Sequence, residues 1–366
     1  MKSLERDFLE RQSIPIEFAG TLRLIGEYRG KQELFKKQMP QVLNALRQTA
    51  VIQSTESSNR IEGITVEGKR LRPLLEKGAT PRNRSEAEII GYKNVLAWIH
   101  TMHDRIEITP ETILKLHRDM LGKTDIPAGN WKRLDNTIEE RMPDGKWITR
   151  YVPVSARETP FYMKELCSRF AHAWEEGRID RLLLTYAFVL DFLCIHPFTD
   201  GNGRVSRLLT TLLLHRGGYE VVRYISLERL TEENKAGYYD VLNRVSSKWH
   251  EAGHSIIPWW EYNLGLLIAA YKEFENRVTT ARSSRGSKTA WVQEAIDHLP
   301  TEFEIREVVQ VCPGVSRPMI RTILENLRDQ GMLESLGTGR GAKWQKVIIS
   351  NKRDNKRDNK KSGKRK

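Results

Sequence analysis

The stretch that decides the fold reads His-Pro-Phe-Thr-Asp-Gly-Asn-Gly-Arg-Val-Ser-Arg at residues 196–207. The apolar helical segment before it must end at Pro197, because proline disfavours helical geometry at the residue that precedes it. The glycines at 201 and 203 make a tight turn into the first turn of the next helix. The free backbone N–H groups of such a helix start favour an anion. The stretch therefore predicts two helices joined by an anion-binding turn.

The side chains of this stretch suit a polyphosphate. Arg204 and Arg207 are three residues apart, so both are expected on one face near the positive end of the new helix, where their forked donors fit phosphate oxygens. Asp200 is placed to hold Mg²⁺ between phosphates, since Mg²⁺ usually takes one or two carboxylates plus substrate oxygens. His196 can accept a proton from an incoming nucleophile, although taken alone it would more simply be a helix-capping residue. The set indicates phosphoryl or nucleotidyl transfer.

Residues 196–207 resemble the signature of the Fic family, His-Pro-Phe-x-Asp/Glu-Gly-Asn-Gly-Arg-x-x-Arg, at every defining position. The resemblance implies an enzyme that transfers AMP from ATP, with Mg²⁺, to a Ser, Thr or Tyr hydroxyl of a target protein or of itself. His196 would be the general base and Asp200 the Mg²⁺ ligand. The resemblance implies that Gly201, Asn202 and Gly203 form the anion hole. It also implies that Arg204 and Arg207 bind the β- and γ-phosphates.

A second stretch, Ser-Asn-Arg-Ile-Glu-Gly at residues 58–63, resembles the family's inhibitory motif Ser/Thr-x-x-x-Glu-Gly/Asn, which begins here at Ser58 and ends at Gly63. The resemblance implies that a helix at about 50–63 brings Glu62 to Arg207 at the γ-phosphate position, so that ATP binds non-productively. The simpler alternative is a solvated acid at a helix end. In some relatives the same glutamate supports removal of AMP, which stays open here.

Turn residues punctuate residues 129–153, and Asp144-Gly145 is a hairpin signal, so a β-hairpin flap is expected. By resemblance the flap would align a target backbone by strand addition and bring Thr137 and Ile138 to the nucleotide. Pro153-Val154 stands where relatives often have Pro-Pro, which leaves the docking contacts open.

Tyr238 begins a Tyr-Tyr-Asp-Val-Leu segment that resembles the part of the family near the adenine. The resemblance implies that Tyr238 contacts the nucleotide. Ser246 stands where relatives often have asparagine, which weakens that interpretation. Packing in the core or at an interface is an equal alternative for Tyr238.

The fold class is expected to be mainly α, a Fic-type helical core with a β-hairpin flap, followed by a C-terminal winged-helix (α+β) domain. Ser85 and Thr109 are the expected N-caps of two helices. The expected helices are 15–55, 85–103, 110–121, 160–176, 180–195, 203–215, 231–247, 256–277, 289–299, 304–311 and 316–330, with wing strands at 332–336 and 342–348. The expected boundaries are a helical region at 1–105, a catalytic core at 106–278, a linker at 279–289, the winged helix at 290–349 and a disordered tail at 350–366.

The net charge of +13 is concentrated at the C-terminus, where residues 350–366 hold nine Lys/Arg and two Asp. The preferred interpretation is a solubilising tail, and a phosphate-binding arm is the alternative. The helix at 316–330 carries Arg317, Arg321 and Arg328, which could reach DNA, but Glu325 and Asp329 lie on it too. DNA is therefore an alternative partner that is not favoured over protein docking, and the alternative function is a nucleotide-sensing regulator that binds DNA through the winged helix.

The expected cellular compartment is inferred from features that the sequence lacks. No apolar run approaches the roughly 18 residues of a membrane span, and the N-terminus does not resemble a signal peptide. Together with three widely spaced cysteines (Cys167, Cys194 and Cys312), which are expected to be buried thiols, this favours a cytoplasmic protein without a membrane partner. A homodimer is one alternative for the oligomeric state.

Overall fold

The computed structural model describes residues 2–38, 40–122, 124, 127–141, 145–282, 287–312, 315–337 and 342–347. The chain divides into two compact units, Met1–Val278 and Thr279–Lys366. The basic tail at 350–366, part of the linker and the wing turn at 338–341 lie outside the described residues, so those expectations stay predictions.

Helices dominate the first unit, and its only described strands form one antiparallel hairpin. The strands are β1 (Ile138–Arg141) and β2 (Trp147–Tyr151), which confirms the expected hairpin within 129–153. The helices are α1 (Arg6–Glu10), α2 (Glu17–Gln38), α3 (Pro40–Ile61), α4 (Gly68–Lys77), α5 (Arg84–Met102), α6 (Pro110–Leu121), α7 (Thr159–Glu176), α8 (Arg181–Ile195), α9 (Asn202–Arg216), α10 (Leu227–Glu233), α11 (Lys235–Ser246) and α12 (Ile257–Arg282).

The core of this unit surrounds α8. Every residue of α8 from Leu182 to Ile195 is buried, as expected for a helix that is apolar on all sides. Trp259 and Trp260 of α12 donate their indole N–H groups to α8 carbonyls at 2.9 and 3.0 Å. The one carboxylate within this stretch, Asp191, accepts hydrogen bonds from the Ser3 backbone N–H and from Trp249. The helix that ends at the signature stretch is therefore held from several directions.

Two expected long helices are each divided, and one expected cap was wrong. The 15–55 segment forms α2 and α3, and α3 begins at Pro40, where proline has no N–H to continue a preceding helix. The 231–247 segment belongs to α10 and α11, which separate at the non-helical Asn234. Asn83, not Ser85, caps α5, because the Asn83 side chain accepts the Glu86 N–H at 2.9 Å. The Thr109 cap of α6 is confirmed, with the Thr112 N–H at 3.2 Å.

The second unit combines helices with a small sheet. Its elements are α13 (Ser287–Asp297), β3 (Glu302–Glu304), α14 (Ile305–Val311), α15 (Arg317–Asp329), β4 (Leu333–Ser335) and β5 (Lys343–Lys346). The strands pair antiparallel in the order β3-β5-β4. The three expected helices and two strands are present, and β3 was missed because three residues carry too little alternation to be read as a strand. The winged-helix assignment remains a prediction.

Candidate functional site

His196 lies at the C-terminal end of α8 in a left-handed backbone conformation, with φ 51° and ψ 62°. A residue with a Cβ atom persists there only when its surroundings hold it, because the conformation is strained. Burial, and next the charge of Lys132, lower the pKa of His196 to about 4, against opposing effects of the Leu193 carbonyl, Glu62 and Asp200. The imidazole is therefore neutral at pH 7 and able to accept a proton.

The turn after His196 is fixed by Asn202. Its amide oxygen accepts the Phe198 backbone N–H at 2.9 Å, and its amide nitrogen donates to the Phe198 carbonyl at 2.8 Å. Gly201, at φ 84°, precedes the first residue of α9. The Asn202 side chain thus shapes the turn, and the anion site expected there consists of the backbone N–H groups of the first turn of α9.

Arg207 of α9 is buried against the end of α3. Its Nε donates to Ser58 Oγ at 2.8 Å, and its Nη2 donates to the Ser58 carbonyl and to Glu62 Oε1, both at 2.8 Å. Gly63, at φ 78°, ends α3 and turns the chain away. The structure therefore places Ser58 and Glu62 against Arg207, with Gly63 next to Glu62 in the chain.

Gly203 and Glu62 approach each other closely. A Cβ atom built on Gly203 would overlap Glu62 Oε1 and lie 3.2 Å from Arg207 Nη1. The Glu62 carboxylate therefore lies at the N-terminal turn of α9, beside the guanidinium of Arg207. This is the position in which a helix start and an arginine would bind an anionic group of a ligand.

Arg204 differs from Arg207 in its surroundings, which corrects the expectation of two arginines on one phosphate-binding face. The Arg204 side chain is fully buried and forms an ion pair with the buried Glu88 of α5. Its second carboxylate contact is Asp200 Oδ1 at 3.5 Å. Arg207 contacts α3 instead. The two guanidinium groups thus contact different helices, and Glu88 neutralises the charge of Arg204.

Asp200 is the predicted Mg²⁺ ligand. Its side chain is 44% exposed, and Arg84 of α5 donates to its Oδ2 at 3.1 Å. Within the described residues no cluster of three or more His, Cys, Asp or Glu side chains could hold a metal ion. A single exposed carboxylate fits an ion that takes its other ligands from phosphate oxygens and water, as Mg²⁺ does. The donor set at Asp200 is therefore compatible with Mg²⁺ only together with a phosphorylated ligand.

The segment before β1 is attached at several points to the turn between α8 and α9, residues 196–201, which we call the signature turn. His117 of α6 accepts the Gly129 N–H at Nδ1 (3.0 Å), and its Nε2 lies 3.1 Å from the Asp200 carbonyl. The Lys132 N–H donates to the Pro197 carbonyl at 2.9 Å. Beyond this segment Thr137 is exposed and Ile138 is partly buried at the start of β1.

Sequence reasoning missed four residues at this site: His117, Lys132, Glu88 and Arg84. Arg84 and Glu88 have the i,i+4 spacing of an ordinary surface ion pair, and nothing near them in sequence shows that their partners lie in residues 200–204. His117 and Lys132 likewise act through partners that are 63 to 83 positions away. Only the folded chain reveals these roles.

Tyr238 lies inside an aromatic cluster rather than in an open site. Its ring is 5.8 Å from Trp259 and 6.0 Å from Tyr262, between ring centroids, and it is 7% exposed. It lines a small cavity together with Arg207 and Asn263. The next residue, Tyr239, is less buried and has Lys235 Nζ 5.9 Å from its ring centre. The geometry of Tyr238 agrees with the packing alternative.

Fold and site together define a mainly helical protein in which a neutral histidine lies close to a helix start whose backbone N–H groups suit an anion. Residues 107–214 match the sequence model of the Fic/DOC family. The protein adenylyltransferases Fic of Drosophila grimshawi and Drosophila virilis are each 30% identical to it over 209 residues, which is 55% of this chain. The match spans only 39% of the length of these relatives.

Solved structures show the same fold. A Fic family protein from Desulfovibrio desulfuricans G20 aligns with a TM-score of 0.60 and 20% identity, over 92% of this chain and 98% of that one. A Fic-domain-containing signaling protein from Bacteroides thetaiotaomicron VPI-5482 aligns with a TM-score of 0.58 and 24% identity, over 68% of this chain and 94% of that one. Among the described helices, none is both long enough and apolar enough to span a membrane.

Proposed function

We propose that this protein is an adenylyltransferase that transfers AMP from ATP to hydroxyl groups of proteins, including its own, and that Glu62 inhibits it. The observation that carries the proposal is the Glu62 carboxylate, which pairs with Arg207 at 2.8 Å and lies against Gly203 at the start of α9. A carboxylate in an anion site acts as a competitor for the phosphate that the site would otherwise bind. The adenylyltransferase relatives supply the identity of the nucleotide.

The proposed chemistry needs a base beside a bound triphosphate. The hydroxyl oxygen of the target attacks the α-phosphorus, its proton passes to the neutral His196, and the bond to pyrophosphate breaks. The N–H groups of the first turn of α9 and the guanidinium of Arg207 stabilise the negative charge of the leaving pyrophosphate. Asp200 would hold Mg²⁺, which supplies charge neutralisation at the phosphates when bound.

In this scheme Glu62 inhibits the enzyme by competing with the terminal phosphate of ATP for Arg207. While Glu62 is paired with Arg207, the terminal phosphate of ATP cannot reach that guanidinium, and the nucleotide binds with its α-phosphorus turned away from the attacking hydroxyl. Ser58 strengthens the arrangement, because it adds two further hydrogen bonds from Arg207. Removal of AMP by the same site, with Glu62 directing water, is the alternative activity.

Labelling with α-³²P-ATP and Mg²⁺ tests the proposal. Wild type, Glu62→Gly, and Glu62→Gly combined with His196→Ala are incubated alone and with a cell lysate. We expect strong labelling of proteins by Glu62→Gly, weak labelling by wild type and none by the double variant. The matched control is Glu33→Gly, which removes an exposed carboxylate from α2. A folded, ATP-binding Glu62→Gly protein that labels nothing would contradict the proposed activity.

For the second unit we propose docking of protein rather than DNA. Residues 290–347 contain seven Lys/Arg and eight Asp/Glu, so this segment lacks the excess of basic residues that DNA-binding domains use against phosphates. Gel retardation with duplex DNA at several salt concentrations tests this directly. Salt-dependent binding by a variant that ends at residue 349 would contradict the proposal.

A further inference from the structure

Lys132 is a buried cation in the segment that precedes β1. Only 4% of its surface is exposed, and it forms no salt bridge within the part of the chain that the structure describes. Its ammonium donates to Asn136 Oδ1 at 2.8 Å and lies 3.5 Å from the Ile195 carbonyl. Burying an ammonium group that forms no ion pair is costly, so this position needs a reason.

The contacts of Lys132 lie on both sides of His196. Its backbone N–H donates to the carbonyl of the residue after the histidine, Pro197, at 2.9 Å. Its ammonium approaches the carbonyl of the residue before it, Ile195. His196 is in a left-handed conformation that costs about 1–2 kcal/mol for a residue with a Cβ atom. Lys132 therefore contacts the peptide group that precedes His196 and the carbonyl of Pro197, so its side chain and its backbone hold the chain on both sides of the histidine.

Lys132 also contacts the segment that leads into the hairpin. Asn136, which accepts the ammonium hydrogen bond, lies two residues before β1, the first strand of the hairpin. Trp131 also stacks on Phe198 of the signature turn, at 5.3 Å between ring centroids. The segment that contains Lys132 therefore connects the signature turn to the hairpin. A target hydroxyl would have to be held between these two parts of the molecule.

We propose that Lys132 is a positioning residue that sets the distance between the His196 imidazole and a target hydroxyl presented by the hairpin. The inference rests on the proposed function, because it takes His196 as the acceptor of the hydroxyl proton. Displacement of a reacting group by about 1 Å can cost about 100-fold in rate, so the loss of this link should act on the chemical step and not on nucleotide affinity.

The charge of Lys132 allows a separate test of the proposal, through the pH dependence of labelling. Burial lowers the pKa of Lys132 to about 8, and Asp135 opposes this effect. The charged groups that act on His196 are Lys132, Glu62 and Asp200. The labelling rate of the Glu62→Gly protein should therefore fall as the pH rises through about 8. In a Lys132→Arg variant this fall should disappear, because a guanidinium stays protonated.

The experiment compares Lys132→Met, Lys132→Arg and Arg133→Met, each in the Glu62→Gly protein. Arg133 is the exposed neighbour of Lys132 and controls for loss of one positive charge. Self-labelling at saturating α-³²P-ATP measures the chemical step, and calorimetry measures ATP affinity. We expect Lys132→Met to label about 100-fold more slowly with ATP affinity within about twofold, Lys132→Arg to retain most activity, and Arg133→Met to be unchanged.

A second readout does not depend on activity. The NMR titration of His196, assigned with His196→Ala, should shift in Lys132→Met and not in Arg133→Met. Asn136→Ala breaks only the link to the hairpin, so it should slow labelling while the His196 titration stays unchanged. Labelling by Glu62→Gly that is unaffected by Lys132→Met would overturn the inference. Absence of labelling by Glu62→Gly itself would contradict the proposed activity, while a shifted His196 titration would still support the contact between Lys132 and the histidine.

Discussion

The Glu62 carboxylate lies so close to Gly203 that a Cβ atom at position 203 would overlap Glu62 Oε1 and come 3.1 Å from its Cδ. Glycine is required here for close approach and not for backbone conformation, because Gly203 is within α9 and has no positive φ. The missing side chain allows an acidic group to reach the backbone of the first helical turn. Two motifs that are about 140 positions apart in sequence therefore meet at one carboxylate.

Gly203→Ala should destabilise the wild-type protein by about 1–3 kcal/mol, the usual cost of overpacking. Combined with Glu62→Gly it should cost little, since the overlapping carboxylate is absent and alanine is the better helix former. Urea unfolding of the four proteins measures this coupling. An equal loss of stability in both backgrounds would show that the Glu62 carboxylate is not the reason why position 203 requires glycine.

The strength of inhibition should depend on how firmly α3 is held by its neighbours. Arg60, near the end of α3, donates to both oxygens of Glu232 at 2.6 and 2.9 Å. Lys235 donates to the Ile61 carbonyl at 2.6 Å, and the buried Glu228 accepts from Ser54 at 2.7 Å. These contacts attach α3 to the region of α10 and α11 rather than to the signature turn.

Glu232→Ala should therefore raise the labelling activity of the wild-type protein about two- to fivefold, the range that corresponds to loss of a partly exposed ion pair. In the Glu62→Gly background it should have no effect, because no inhibitory contact remains to be weakened. Glu233→Ala is the control, since that residue pairs with Arg229 and not with α3. A similar increase in both backgrounds would mean that Glu232 acts on the target or on the nucleotide instead.

The buried pair of Arg204 and Glu88 should matter mainly for stability. Both side chains are almost fully inaccessible, so Glu88→Gln leaves the buried Arg204 guanidinium with only its longer contact to Asp200, and breaking such a buried pair typically costs about 3–5 kcal/mol. Arg84→Gln removes a guanidinium whose side chain is 59% exposed, and we expect less than about 1 kcal/mol. Chemical unfolding at pH 7 compares the two variants. Equal losses would mean that Arg84 contributes to the buried pair as much as Arg204 does.

The residues of the candidate site could be located from sequence because they are concentrated in two short stretches. His196, Asp200 and Arg207 lie in one of them and Glu62 in the other, and helix ends and glycines fix their local geometry. Arg204 shows the limit of this reasoning. Its spacing from Arg207 predicts a shared face, but its orientation is decided by Glu88, which is 116 positions away.

Element boundaries could be predicted where a cap or proline marks them and not elsewhere. Thr109-Pro110 correctly gave the start of α6, and the end of α8 before Pro197 was also correct. The break at Asn234 was missed, because neither a proline nor a glycine stands at that position, and only the non-helical backbone of Asn234, with φ −121° and ψ 44°, separates α10 from α11. The second unit shows the same limit, since β3 exists only through its pairing with β5.

The stability of the first unit should fall on mild acidification, because several of its histidines are buried in neutral form. Burial lowers the pKa of His117 to about 4, where Nδ1 must stay unprotonated to accept the Gly129 N–H, and that of His100 to about 3. An unfolded chain titrates these groups near 6.5, so between pH 6.5 and 4 the unfolded state binds more protons than the folded one. The stabilisation is complete above pH 6.5 and is lost as the pH falls through this window.

His117→Asn isolates one histidine of this set. The variant should lose stability at pH 7.5, because the link between Gly129 and the Asp200 carbonyl is removed. Its free energy of unfolding should then fall less steeply with acid than that of wild type, by up to about 1.4 kcal/mol per pH unit between pH 6.5 and 4. Carboxylates such as Glu86, whose pKa is lowered to about 2 chiefly by its hydrogen bond with Arg70, titrate in both proteins alike and cancel in the comparison. Urea unfolding at half-unit steps from pH 4.5 to 8 gives both slopes. Parallel curves for the two proteins would show that His117 is not held neutral by the fold.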